Sequence, residues 1–149
     1  MAAGEFNILA DQGANYVLYF VYETNSSAAI DLTGYQGRMQ VRRSAYSDDI
    51  LLGITGDTTS GVVKGGGVTG YFPEGEGVFG VGGMLLNTSN GGVTGSTGGA
   101  TGGVYVSIDA TTMKNCPHGR HLYDIELKAG DVVTRVLQGR FEVRAEVTR

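Results

Sequence analysis

The chain has 149 residues, enough for one domain around a single sizeable core, and a net charge of -4, which argues against a protein that grips phosphate backbones. A lone cysteine, Cys116, excludes an internal disulfide, and the longest apolar run, Tyr16–Tyr22, is too short to cross a bilayer. Met1–Asn7 has no basic segment leading into an apolar run, so the sequence predicts no signal peptide and a chain made and kept, or assembled, in a reducing compartment.

In chain order, Phe6 and Ile8 precede the turn-like Asp11-Gln12-Gly13. The first predicted strand is Tyr16–Glu23, apolar on both faces: Tyr16, Leu18, Phe20 and Tyr22 on one, Val17, Tyr19 and Val21 on the other. Such a strand is either central and covered on both sides, or it meets another chain with its outer face. Asn25-Ser26-Ser27 reads as a turn. It matches a glycosylation sequon, as does Asn87-Thr88-Ser89, but without a signal peptide both matches read as accidental. Ile30–Tyr35 leads into a two-faced strand over Gln36–Arg43, with Met39 and Val41 opposed to Arg38, Gln40 and Arg42. Ser44–Asp49 is a polar loop, and Ile50–Thr55 a short apolar strand that ends at Gly56.

The composition then changes. Seventeen of the 26 glycines lie in Gly61–Gly103, where only Lys64, Glu74 and Glu76 are charged. Glycine weakens strands and raises the entropy cost of ordering the backbone. Asn90-Gly91 is a hairpin signal after an apolar stretch, Val78–Leu86. The expectation is an inserted element that neighbouring subunits order. Tyr71, Phe72, Val78 and Phe79 are its candidate interface anchors, joined by Tyr19 on the first strand. On that expectation, a short turn could replace Gly61–Gly103 and leave a folded sandwich that no longer assembles.

Beyond the insertion, Val104, Val106 and Ile108 share one face of a strand, and Asp109 can cap a helical turn over Ala110–Lys114. Cys116-Pro117-His118-Gly119 loops back into a sheet. From Arg120, Tyr123, Ile125 and Leu127 alternate with Asp124, Glu126 and Lys128. Ala129-Gly130-Asp131 then turns the chain into Val132–Gln138, which makes a hairpin. Gly139 is expected to bend or bulge the chain before a final strand, Arg140–Arg149. Six basic residues between Arg120 and Arg149 are interspersed with acids, which reads as a solvated mixed-charge face. About seven period-two strands and no helix longer than a turn define an all-β antiparallel sandwich, a single domain over residues 1–149. Its expected core is Met39, Val41, Ile54, Val106, Ile108, Tyr123, Ile125, Leu127, Phe141, Val143 and Val147.

No catalytic constellation survives inspection. Gly75–Gly80 fits G-x-G-x-x-G, but no helix comes after it to hold a pyrophosphate, and there is no P-loop. Cys116, His118 and His121 have metal-ligand chemistry but irregular spacing and no fourth donor, so they read as a loop cysteine and two surface histidines. They form no nucleophilic dyad with an identifiable acidic orienter. Asp48/Asp49 and Asp124/Glu126 read as solvated carboxylates. The expectations are no enzyme activity, no metal or cofactor, and a trade in assembly or binding.

Ile30-Asp31-Leu32-Thr33-Gly34-Tyr35 with Arg38–Arg42, then Leu122–Leu127, Val136–Phe141 and Glu146–Arg149, occur in an order that resembles small virion proteins of tailed bacteriophages. The chain is similar to the immunoglobulin-like N-terminal domains of baseplate upper proteins and to related tail or fibre-anchoring proteins, over roughly residues 5–56 and 104–149. The resemblance implies an immunoglobulin-like sandwich that docks onto a symmetric particle in the virion and is assembled in the host cytoplasm. Its partners would be other virion proteins and copies of itself, with no nucleic acid or membrane. Gly61–Gly103 departs from it, being much longer than the connection this pattern usually shows. Two other readings fit the composition: a capsid decoration or head-fibre protein, and a receptor- or carbohydrate-binding module with the glycine loops as its contact surface.

Overall fold

The computed structural model describes residues 3–24, 26, 28–47, 50–57, 83–87 and 101–147. Nine strands and one short helix appear among them: β1 (Gly4–Glu5), β2 (Ile8–Asp11), β3 (Tyr16–Val21), β4 (Gln36–Arg42), β5 (Leu52–Asp57), β6 (Gly83–Leu86), β7 (Gly103–Ile108), α1 (Ala110–Asn115), β8 (Gly119–Ala129) and β9 (Val132–Arg144). Hydrogen bonding runs continuously in the order β1-β9-β8-β4-β5-β6-β7-β3, with β2 also on β9. The N-terminal strands pair with β9 in parallel. The other pairings are antiparallel except β5–β6, where the path passes from one layer of the sandwich to the other. The order β6-β7-β3 facing β5-β4-β8-β9 is the D-E-B and C′-C-F-G arrangement of an immunoglobulin-like sandwich. The chain has no tryptophan and no disulfide, so apolar packing and the β5–β6 hydrogen bonds join the layers.

The corner between the layers depends on missing side chains. Gly37 and Gly56 are cross-strand partners on β4 and β5. A Cβ on Gly56 would collide with the Met84 carbonyl, and one on Gly37 with the Met84 sulfur. The two glycines leave a slot into which the backbone and thioether of Met84 fit. Met84 and Leu86 join a core that includes Ile8, Leu18, Leu32, Met39, Val41, Ile54, Val106, Ile108, Tyr123, Ile125, Leu127, Phe141 and Val143. Leu85 is fully buried as well, so β6 is covered on both faces. Of Gly61–Gly103, residues 83–86 are an interior strand of the sheet and Gly103 opens β7, so this described part of the glycine-rich insertion is built into the sandwich.

The tail of β6 is tied down by polar contacts. Asn87 adopts φ 55 and is buried. Its Oδ1 accepts from the Leu32 N–H at 2.8 Å and the Gly102 N–H at 3.4 Å, while its Nδ2 donates to Asp31 at 2.8 Å and to Thr33 Oγ1 at 3.2 Å. The Asp31-Leu32-Thr33 step is therefore a clasp, with Leu32 as its buried plug. Hydrogen bonds from the Thr33 hydroxyl, then the Asn87 amide and the Thr33 N–H, hold the Asp31 carboxyl below its ordinary pKa. A lowered folded-state pKa contributes stability above the unfolded value, and this is lost as pH falls through the folded pKa. Asn87→Ala is expected to cost about 1–3 kcal/mol by orphaning the Leu32 N–H, and to flatten the stability–pH curve below about pH 4, where Asp31 titrates when unfolded. Urea denaturation between pH 3 and 7 measures both effects.

The C-terminal hairpin forms as expected, turning at Gly130-Asp131 with Gly130 at φ 59. Asp109 caps α1 by accepting from the Thr112 N–H at 2.7 Å. Several expectations are corrected. β9 runs unbroken through Gly139, and the bulge falls at Val136, because Ile125 faces Leu137 while Glu126 faces Arg135. That extra residue keeps Val136 inside and Arg135 outside. Gly139 instead makes room for the Phe6 carbonyl, which a Cβ would strike and which accepts a 2.6 Å hydrogen bond from the Tyr123 hydroxyl. The last strand stops at Arg144, since β2 ends opposite it and β8 begins opposite Val143. Val147 is therefore 92% exposed rather than core. β3 is not central. It pairs only with β7 among the described residues and exposes Val17 and Val21.

Candidate functional site

The outward residues of β4, β8 and β9 form one surface because the register places them in rows. Arg38 lies opposite Glu126, and Glu126 opposite Arg135. Gln40 lies opposite Asp124, and Asp124 opposite Gln138. Arg42 lies opposite Leu122, and Leu122 opposite Arg140. This order sets the ion pairs: Arg38–Glu126 at 2.7 Å and, diagonally, Arg135–Asp124 at 3.2 Å. Further along the same face Arg120 pairs with Glu142 at 3.4 Å, and Arg144 grips Asp11 through both nitrogens at 2.6 and 3.0 Å. Water screens the exposed pairs among them, so those serve register more than stability.

Two walls turn part of this face into a groove of about 450 Å³. The Arg43–Ser47 loop supplies Ser44 and Ala45 on one side, and the β1–β2 segment supplies Glu5 and Asn7 on the other. The N-terminal wall is held by the Asn7 Oδ1, which accepts from the Arg140 N–H at 3.0 Å, and by the Phe6 N–H, which donates to the Gln138 carbonyl at 2.9 Å. The lining includes Gln40, Arg42, Leu122, Asp124, Arg135, Gln138 and Arg140. Burial, then the neighbouring Glu126, pushes the Asp124 carboxyl above its ordinary pKa, against the pull of Arg135, Arg38 and Arg42. Asp124 and Glu126, read from the sequence as solvated, are thus half-buried members of a paired network.

The residues expected at an interface are not brought together here. Tyr71, Phe72, Val78 and Phe79 lie outside the described residues. Tyr19 is half-buried on β3, opposite Tyr105 and on the other layer of the sandwich from the groove. Asp48 and Asp49 also lie outside the described residues.

Cys116 is buried at the end of α1, and burial pushes its thiol up to about 11, which makes it a poor nucleophile. His118 is on the surface, but His121 is only 2% exposed, a correction to its reading as a surface histidine. It alternates inward with Tyr123, faces Phe141 across the hairpin, and contacts the Pro117 carbonyl through Nε2 at 2.8 Å. Among the described residues no group of three His, Cys, Asp or Glu side chains is placed to hold a metal ion. No helix among them is long and apolar enough to cross a membrane.

No family model matches the chain. No curated protein matches it significantly.

Proposed function

We propose that this chain is a docking module of the immunoglobulin-like sandwich type, whose work is to hold protein partners against its sheet faces. More particularly, we assign it to the tail, baseplate or fibre-anchoring region of a tailed-bacteriophage particle, with other virion proteins and further copies of itself as partners. One observation carries the reading. All but the last of the segments that resemble phage tail proteins build the clasp and the grooved face. Asp31–Thr33 closes on Asn87, and Arg38–Arg42, Leu122–Leu127 and Val136–Phe141 supply three adjacent strands of one surface. A resemblance carried by residues that form one contiguous unit is better support than one scattered through the fold.

The polar lining of the groove, with Asn7, Gln40, Asp124 and Gln138, favours a second reading as a receptor-binding module. Immunogold labelling of intact particles from a host that produces this chain tests the assignment. Gold is expected at the tail or its distal end. Label over the capsid would move the protein to the decoration class, and particles free of the chain would overturn the virion reading altogether.

A further inference from the structure

We propose that the groove across β4, β8 and β9 binds a single peptide carboxylate presented by an extended segment of a partner protein. The proposal rests on the docking reading above and names what docks.

Among the described arginines on the grooved face, four are matched by a carboxylate and two are not. Arg38, Arg120, Arg135 and Arg144 each have a carboxylate within 3.4 Å. Arg42 and Arg140 have none among the described residues, and both line the groove. Arg42 is nonetheless fixed in position. It donates to the Ser47 carbonyl at 2.7 Å and to Gln40 Oε1 at 3.0 Å, both neutral acceptors. Arg140 holds Asn7 through its backbone N–H, which leaves its guanidinium for a ligand. The two arginines flank Leu122, which is 42% exposed and forms an apolar floor. Strands lie about 4.8 Å apart, so the two Cα atoms are about 10 Å apart, a gap that two arginine side chains can close on one carboxylate.

The rest of the lining selects the chain that carries the carboxylate. The side-chain oxygens of Gln40, Gln138 and Asn7 are already occupied by Arg42, Arg135 and the Arg140 N–H. Their amide N–H groups remain to donate to main-chain carbonyls. Glu5, opposite Gln138, disfavours a second carboxylate at that end and can accept from a peptide N–H. An acidic glycan fits less well. Sugar rings are held by exposed aromatic faces, and the only ring in the lining among the described residues, that of Tyr123, is buried.

The test is a titration of ¹⁵N-labelled protein monitored by amide chemical shifts. The probes are acetyl-Ala-Glu-Ala-Ala-amide, its glutamine counterpart, trialanine with a free C-terminus, and trigalacturonate. The glutamate peptide is expected to shift the amides of Leu122, Gln138 and Arg140 at millimolar concentration, and the glutamine peptide is not. Arg140→Gln should weaken binding about tenfold, the scale of one charge-assisted hydrogen bond, with an unchanged melting temperature. Arg120→Gln, on the same face but outside the groove, should bind as the parent does. Binding of trialanine alone would keep the carboxylate site and assign it to a chain terminus. Equal shifts from the glutamine peptide, indifference to Arg140→Gln, or preference for trigalacturonate would overturn the proposal. The titration uses the purified chain, so its failure leaves the particle assignment standing, and failure of particle labelling leaves a positive titration standing.

Discussion

Replacing Phe141 with alanine should lower the unfolding free energy by about 3–5 kcal/mol, a large share of the roughly 5–15 kcal/mol that a domain possesses. Phe141 is fully buried in β9, between Ile8 of β2 and His121 of β8 in register. Its ring meets that of Tyr123 edge-on, with centroids 6.3 Å apart and planes at 72°. Truncation therefore removes the transfer energy of the ring, the aromatic contact and the wall that supports Ile8. One local effect works the other way. The Nδ1 of His121 is buried without a hydrogen-bond partner among the described residues, and a cavity beside it could admit a water that satisfies it. The loss is then expected toward the lower end of the range. Phe141→Leu, which keeps most of the volume, should cost about 1–2 kcal/mol. Urea midpoints at constant slope give both values. A near-neutral Phe141→Ala would mean that the inward face of β9 is not the core.

The alternation of apolar and charged residues from Tyr123 to Lys128 is enough to place that strand, its hairpin and its inward face, because a half-buried strand writes its period into the sequence. Met39, Val41, Ile54, Val106 and Ile108 are legible for the same reason, and all are buried. Val147 misleads because the alternation continues past Arg144, while pairing depends on where β2 and β8 end. Gly139 misleads because a glycine in a strand signals either a bend or a close approach, and only the position of Phe6, far away in sequence, decides between them. His121 carries an inward parity that is legible beside Tyr123, but its chemistry suggests the surface. The groove is hidden more deeply. Its floor lies in three strands whose charges look solvated one strand at a time. Its walls come from Arg43–Ser47 and from β1–β2, whose parallel pairing with β9 leaves no local signature. That Arg42 and Arg140 lack carboxylate partners among the described residues is a property of register, visible only once the rows are assembled.

Replacing Gly61–Gly103 with a short turn is expected to abolish cooperative folding, the reverse of what the glycine content suggests. The replacement removes β6, which hydrogen-bonds to β5 on one side and β7 on the other and links the two layers. It also removes Met84, Leu85 and Leu86, each buried to within 1%. At about 1.5–3 kcal/mol per buried large apolar side chain, their loss alone is about 5–9 kcal/mol, comparable to the whole stability of a domain. Asn87 goes too, which leaves the Leu32 N–H without its acceptor, and so does the Gly102 carbonyl that accepts from the Tyr22 N–H at 2.8 Å. The slot formed by Gly37 and Gly56 would then face a void where the Met84 thioether had been. Circular dichroism and calorimetry of the deletion variant should show no cooperative transition. Because such a variant can fail through its new linker alone, Met84→Ala in the full chain is the companion measurement. It should cost about 2–5 kcal/mol with the native strand spectrum retained. A deletion variant that melts cooperatively, or a Met84→Ala chain as stable as the parent, would show that the two layers hold together without β6.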